Sequence, residues 1–143
     1  MVLGDPSICI ITIDALDLAI TAGVNGSDIP EISLIILAPL SITFDIRFPE
    51  TKLNKAYELL ALFNENLWIG HFDITSKNGI PAFRHTILSN YESDVLHKKF
   101  EDLVDIGIYE CEKFYPSFQQ VLFDDTLPKQ AIKFSEFEII GRA

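Results

Sequence analysis

The sequence predicts an α+β domain, a twisted antiparallel sheet with helices packed on one face. Three observations lead there. The first half is a series of short segments rich in Ile and Thr, separated by turn residues, which is strand composition. The segments 52–66 and 92–114 then repeat their apolar residues at helical spacing. Between those helices lies a stretch with two-residue alternation and a tight turn, the pattern of a hairpin. Strands gathered first and helices interleaved later point away from alternating βαβ units.

The elements follow in order. SICIITI and LDLAITA read as strands, and VNGSDIP as a turn in which Asn25-Gly26 supplies the positive φ angles. ISLIIL and LSITFDIRF are two more strand segments. Pro39 lies between them and predicts a break or an edge, because Pro has no ladder N–H. Phe48-Pro49-Glu50-Thr51 announces a helix with Thr51 as its N-cap. Leu53, Ala56, Tyr57, Leu60 and Phe63 make that helix's inward stripe. Leu62 falls on the opposite side with Leu59 on the flank, a candidate partner or dimer contact.

The hairpin LWIGHFDITSKNGIPAFRHTIL has a turn at Ser76–Gly79. Alternation puts Trp68, Phe72, Ile74, Phe83, His85 and Ile87 on one face, toward the helices. It puts His71, Asp73 and Arg84 on the other. A two-residue or a four-residue turn changes which residues are neighbours but not which share a face. The two histidines therefore diverge, and a metal site between them is not expected. Asp73 and Arg84 are cross-strand neighbours. With His71 they form a surface ion pair or a polar patch open to a partner.

The second helix carries Phe100, Leu103, Val104, Gly107, Cys111 and Phe114 on one stripe, with Glu101, Asp102, Asp105, Glu110 and Glu112 off it. Tyr115-Pro116 predicts its end or a kink. SFQQVLF is apolar and of uncertain type. LPKQAIKFSEF reads as a short last helix capped by Asp125 or Thr126.

Bulk properties narrow the function. At 143 residues the chain makes one domain, 1–143. Its net charge of −10, with no Lys or Arg before Arg47, disfavours nucleic acid and anionic membranes and favours basic partners. Acidic residues interrupt the N-terminal apolar run, so no signal peptide is expected, and the apolar stretch 32–44 is too short to span a bilayer. A cytoplasmic location follows as an expectation, with Cys9 and Cys111 as buried thiols. No GxSxG, P-loop or GxGxxG occurs, and His97 has no partner at ligand spacing. A non-enzymatic protein without metal or cofactor is expected.

LWxGHFD (Leu67–Asp73), GxPxFRH (Gly79–His85) and ECExFYPxFQ (Glu110–Gln119) occur in this order. In these motifs the chain resembles the YbjN family of bacterial proteins labelled sensory transduction regulators, over about two-thirds of its length, from Phe44 onward. The resemblance implies the fold of type III secretion chaperones, often dimeric, and no catalytic residues. Family members start with a helix, whereas this chain starts almost at a strand. The expected function is a chaperone-like or regulatory protein that binds another polypeptide through an apolar surface with an acidic rim. Its candidate surface residues are Leu59, Leu62, His71, Asp73 and Arg84, and a homodimer is a further expectation. The alternative is a regulatory module sensing a small ligand, in an aromatic pocket that includes Tyr115 and Phe118.

Overall fold

A computed structural model describes the backbone of residues 9–13, 17–23, 31–90 and 93–141, and the side chains of 39–88, 97–133 and 135. The turn at Asn25-Gly26 and the side chain of Cys9 lie outside the described residues. The order is β1 (Cys9–Ile13), β2 (Asp17–Gly23), β3 (Glu31–Phe44), α1 (Leu53–Asn64), β4 (His71–Ile74), β5 (Pro81–Asn90), α2 (Ser93–Leu122) and α3 (Pro128–Gly141). All strand pairings are antiparallel, in the order β1-β3-β5-β4 with β2 also on β3. The expected α+β class is what the chain adopts.

β3 is one strand of 14 residues that runs through Pro39, so the expected break is absent. Its pairing partners account for this. β1 pairs with Leu40–Phe44 and β2 with Glu31–Leu37, and the register slips by one residue between Ile13↔Leu40 and Asp17↔Leu37. Pro39 sits opposite that slip, where its missing N–H leaves no regular ladder position empty.

Thr51 does not cap α1. It belongs to a 3-10 turn, Glu50–Lys52, that leads into the helix without a side-chain cap. Lys52 ties this end down instead: its Nζ donates to the Leu122 carbonyl at 2.7 Å. Leu53, Ala56, Leu60 and Phe63 point inward as their spacing requires, and Leu59 joins them. Tyr57 is 39 % exposed and lies at the margin of the stripe.

The α2 helix passes through Pro116 and includes Ser117–Leu122. Pro116 forfeits one helical hydrogen bond. Burial beyond it offsets the loss, since Phe118 and Val121 are fully buried. Asp125 and Thr126 close the α2–α3 loop and do not cap the last helix: the Thr126 N–H donates to the Gln120 carbonyl, and Leu127 offers its carbonyl to Gln130 and Ala131. Pro128 takes the first helical position, where no donor is needed. Asp125 adopts φ 56°, held by Lys55 at 2.8 Å and Lys52 at 3.5 Å. These lysines hold the Asp125 carboxyl below its ordinary pKa, Lys55 through its hydrogen bond first and then its charge.

The helices cover one face of the sheet. Leu40, Ile42, Phe44, Phe72, Ile74, Phe83 and Ile87 are buried there. The high Phe content builds the centre: Phe63 stacks within 5.7 Å of Phe72, Phe114 and Phe118, and Phe72 meets Phe83 edge-on at 5.6 Å. Such tilted and edge-on pairs add to burial. The α2 helix approaches closely at Gly107, where a Cβ would lie 2.6 Å from Ile42 Cδ1 and 3.0 Å from the Phe83 ring. Ser117 is buried, donates to the Ala131 carbonyl at 2.8 Å and contacts the Ser135 hydroxyl, joining α2 to α3.

Candidate functional site

The hairpin takes the register of a four-residue turn, with His71 opposite Arg84, Phe72 opposite Phe83 and Asp73 opposite Ala82. The turn is held by Thr75, whose carbonyl accepts from Gly79 at 2.8 Å, and it docks on the loop before α1 through Phe48 N–H to Gly79 O at 2.8 Å. His71, Asp73 and Arg84 share the outer face, as alternation requires. Arg84 Nε lies 3.6 Å from Asp73 Oδ2 on a diagonal, with both side chains nearly half exposed. An ion pair of that exposure is worth about 0–1 kcal/mol.

The other two candidate residues lie elsewhere. Leu59 is fully buried among the core residues and offers nothing to a partner. α3 packs against α1, a contact that no residue of α1 announces. Leu62 is half-buried. Tyr115 stacks on Phe44 at 5.9 Å and Phe118 is buried beneath it, so the aromatic pocket expected there is filled by the protein itself.

Trp68 departs most from expectation. It is 99 % exposed and does not reach the core. The alternation assumed that the strand begins at Leu67, but β4 begins at His71. Gly70 has φ +72°, the left-handed region that glycine favours, and this turns Leu67–Ile69 off the strand line. Any Cβ at Gly70 would also lie 2.3 Å from the Phe83 ring.

Beside this turn, between β5 and α2, is a groove of about 310 Å³ lined by Ile69, His85, Thr86, Ile87, Leu88, Lys99, Asp102, Leu103 and Ile106. Ile69, Leu88 and Ile106 are exposed large apolar residues, as are Trp68, next to Ile69 in the chain, and Tyr109, one turn on from Ile106. Pattern reasoning missed this site, although Ile106 and Tyr109 carried a signal by lying off the inward stripe of α2. On α2, Glu101, Asp102 and Asp105 are exposed, and Asp102 lines the groove beside Lys99. Glu101 pairs with His97 and Asp102 with Lys98, each at 3.3 Å.

His85 lines the groove floor and pairs along the sheet with buried Leu40. Its burial lowers its pKa below the ordinary 6.5, and nearby His71 adds to the shift. The ring is therefore neutral at neutral pH. His71 and His85 do not converge, since one is exposed on the outer face and the other lies under the groove. Among the described residues, no group of His, Cys, Asp or Glu could hold a metal ion, and no helix is long and apolar enough to cross a membrane. Cys111 is a buried thiol.

Fold and groove together define an α+β protein with an open apolar trough at the helix–sheet boundary. The chain belongs to the YbjN family, whose model matches residues 36–120 and is described as "Putative bacterial sensory transduction regulator". The match runs from within β3 through most of α2, and so includes the hairpin and both walls of the groove. No curated protein and no solved structure matches the chain.

Proposed function

We propose that this chain is a non-enzymatic regulatory protein, chaperone-like in use, that holds another polypeptide in the groove between β5 and α2. The observation that carries this reading is the exposed set Ile69, Leu88 and Ile106 around one concavity, with Asp102 and Lys99 in its lining. Exposed apolar residues gathered at a depression cost solubility and commonly mark an interaction site. The net charge of −10 and the exposed Glu101, Asp102 and Asp105 of α2 favour a segment bearing Lys or Arg, and the charge disfavours nucleic acid and anionic membranes. Regulation by protein contact accords with the family description, and a cytoplasmic setting is part of the same reading. The outer-face set His71, Asp73 and Arg84 is a second polar surface available to the same partner.

A photo-crosslinking residue placed at Ile106 or Trp68 in living cells tests this. A defined polypeptide adduct at both positions, absent from a control at exposed Lys133, is the expected result. No adduct, or an equal adduct at Lys133, overturns it. Homodimerisation retains half-buried Leu62 and the fold analogy as support, and light scattering reads it as twice the chain mass at micromolar concentration.

A second reading has its own observation. The groove reaches the lower end of small-molecule pocket sizes, roughly 300 Å³, and His85, Lys99 and Asp102 supply polar groups among apolar ones. A small-ligand sensor would then show a raised melting temperature with one class of metabolite, and a flat response across classes removes it.

A further inference from the structure

The two strands of the hairpin differ in length. β4 has four residues and pairs with Pro81–Arg84, whereas β5 continues to Asn90. From His85 to Asn90, β5 has β3 on one side and, among the described residues, no strand on the other.

The direction of the peptide groups along this stretch can be read from Asn64. Its side chain accepts from the Phe72 N–H at 2.7 Å and donates to the Phe72 carbonyl at 3.0 Å. Both Phe72 peptide groups therefore point away from β5, and Phe72↔Phe83 is a pair without mutual hydrogen bonds. Its neighbours His71↔Arg84 and Asp73↔Ala82 are then the bonded pairs, so even-numbered residues of β5 aim their peptide groups toward β4. The Arg84 carbonyl oxygen, 3.0 Å from where a Gly70 Cβ would stand, agrees with this. By the same period, Thr86 and Leu88 aim their N–H and C=O groups at the side without a strand.

The groove lies on that side. It touches four consecutive residues of β5, His85 through Leu88. Neighbouring residues of a strand face opposite ways, so one cavity reaches all four only along the strand's edge.

We infer that the groove is a strand-addition site. An extended segment of a partner polypeptide pairs with Thr86 and Leu88, in line with β4, and drops alternate apolar side chains against Ile69, Leu103 and Ile106. The intervening side chains face away from α2, and Lys or Arg at the ends of the segment meet Asp102, which lines the groove, and the net charge of −10. This rests on the reading of the groove as a polypeptide site and specifies the form of the guest. A helical guest would satisfy its own backbone and leave Thr86 and Leu88 unmatched. A second copy sets a further −10 of charge against a chain of the same sign. The open stretch accommodates about five residues, an ordinary strand length.

The test uses a library of random nonapeptides selected against the full chain, followed by amide hydrogen exchange on the chain with the winning peptide bound. The expected winners carry apolar residues at every second position and Lys or Arg toward their ends. They slow exchange at Thr86 and Leu88 by about tenfold or more, and Ile106→Glu weakens them about tenfold while core amides keep their protection. Winners with helical spacing that occupy the groove yet leave Thr86 and Leu88 unprotected overturn strand addition and keep the polypeptide reading. Protection of those amides by raised protein concentration alone assigns the edge to a second copy and overturns a heterologous guest. Winners unaffected by Ile106→Glu, or no winners, overturn both readings.

Discussion

At the scale of single residues, two positions carry the sharpest expectations. Gly107→Ala gains helix propensity but forces a methyl group against Ile42 and the Phe83 ring, neither of which has free space around it. Overpacking of this kind costs about 1–3 kcal/mol, more than the roughly 1 kcal/mol that Ala gains over Gly. Chemical denaturation therefore reads a net loss of stability in Gly107→Ala, and a gain would show that α2 can withdraw from the sheet. His85 gives a pH expectation. Its folded pKa lies below its unfolded value, so the unfolded chain binds the extra proton. The stability that neutral His85 contributes is complete above pH 6.5 and is lost as pH falls toward the depressed folded value. Between about pH 7.5 and 5, the melting temperature of His85→Gln falls less than that of the unaltered chain. Equal falls would place the titrating group elsewhere.

At the scale of elements, β4 is an edge strand of the sheet, and Asn64 protects its outer side. A single carboxamide offers one donor and one acceptor at the spacing of a neighbouring strand, and so occupies both outward peptide groups of Phe72. Asn64→Leu leaves those groups unmatched, at about 1–3 kcal/mol. Its thermal midpoint falls, and its scattering rises with concentration as the edge pairs with other molecules. A variant that loses stability but stays monodisperse would limit Asn64 to a fold role. Periodicity made much of this level legible. The hairpin faces, the inward stripe of α2 and the divergence of the two histidines all follow from spacing. Pattern failed where tertiary structure decided the outcome: Leu59 buried in the core, Pro116 inside a helix whose far end is buried, and Trp68 turned outward by the backbone of Gly70.

At the scale of the whole molecule, α+β architecture was legible because strand and helix periods occupy separate stretches of the chain. The groove was not, because it depends on β4 being shorter than β5, and no local spacing states where a strand stops. Charge also acts at this scale. With a net charge of −10 the folded state repels itself, and salt shortens the reach of that repulsion from roughly 30 Å at 0.01 M to 8 Å at 0.15 M. The melting temperature rises over that range, and a fall would mean that ion pairs such as Lys55–Asp125 outweigh the global repulsion. The short β4 has a last consequence. If its register were prolonged backward, Ile69 would fall beside Thr86 and Leu67 beside Leu88. Residues 67–69 thus have the register to take the same β5 edge that the proposed guest would pair with, and the left-handed backbone of Gly70 is what turns them off that line.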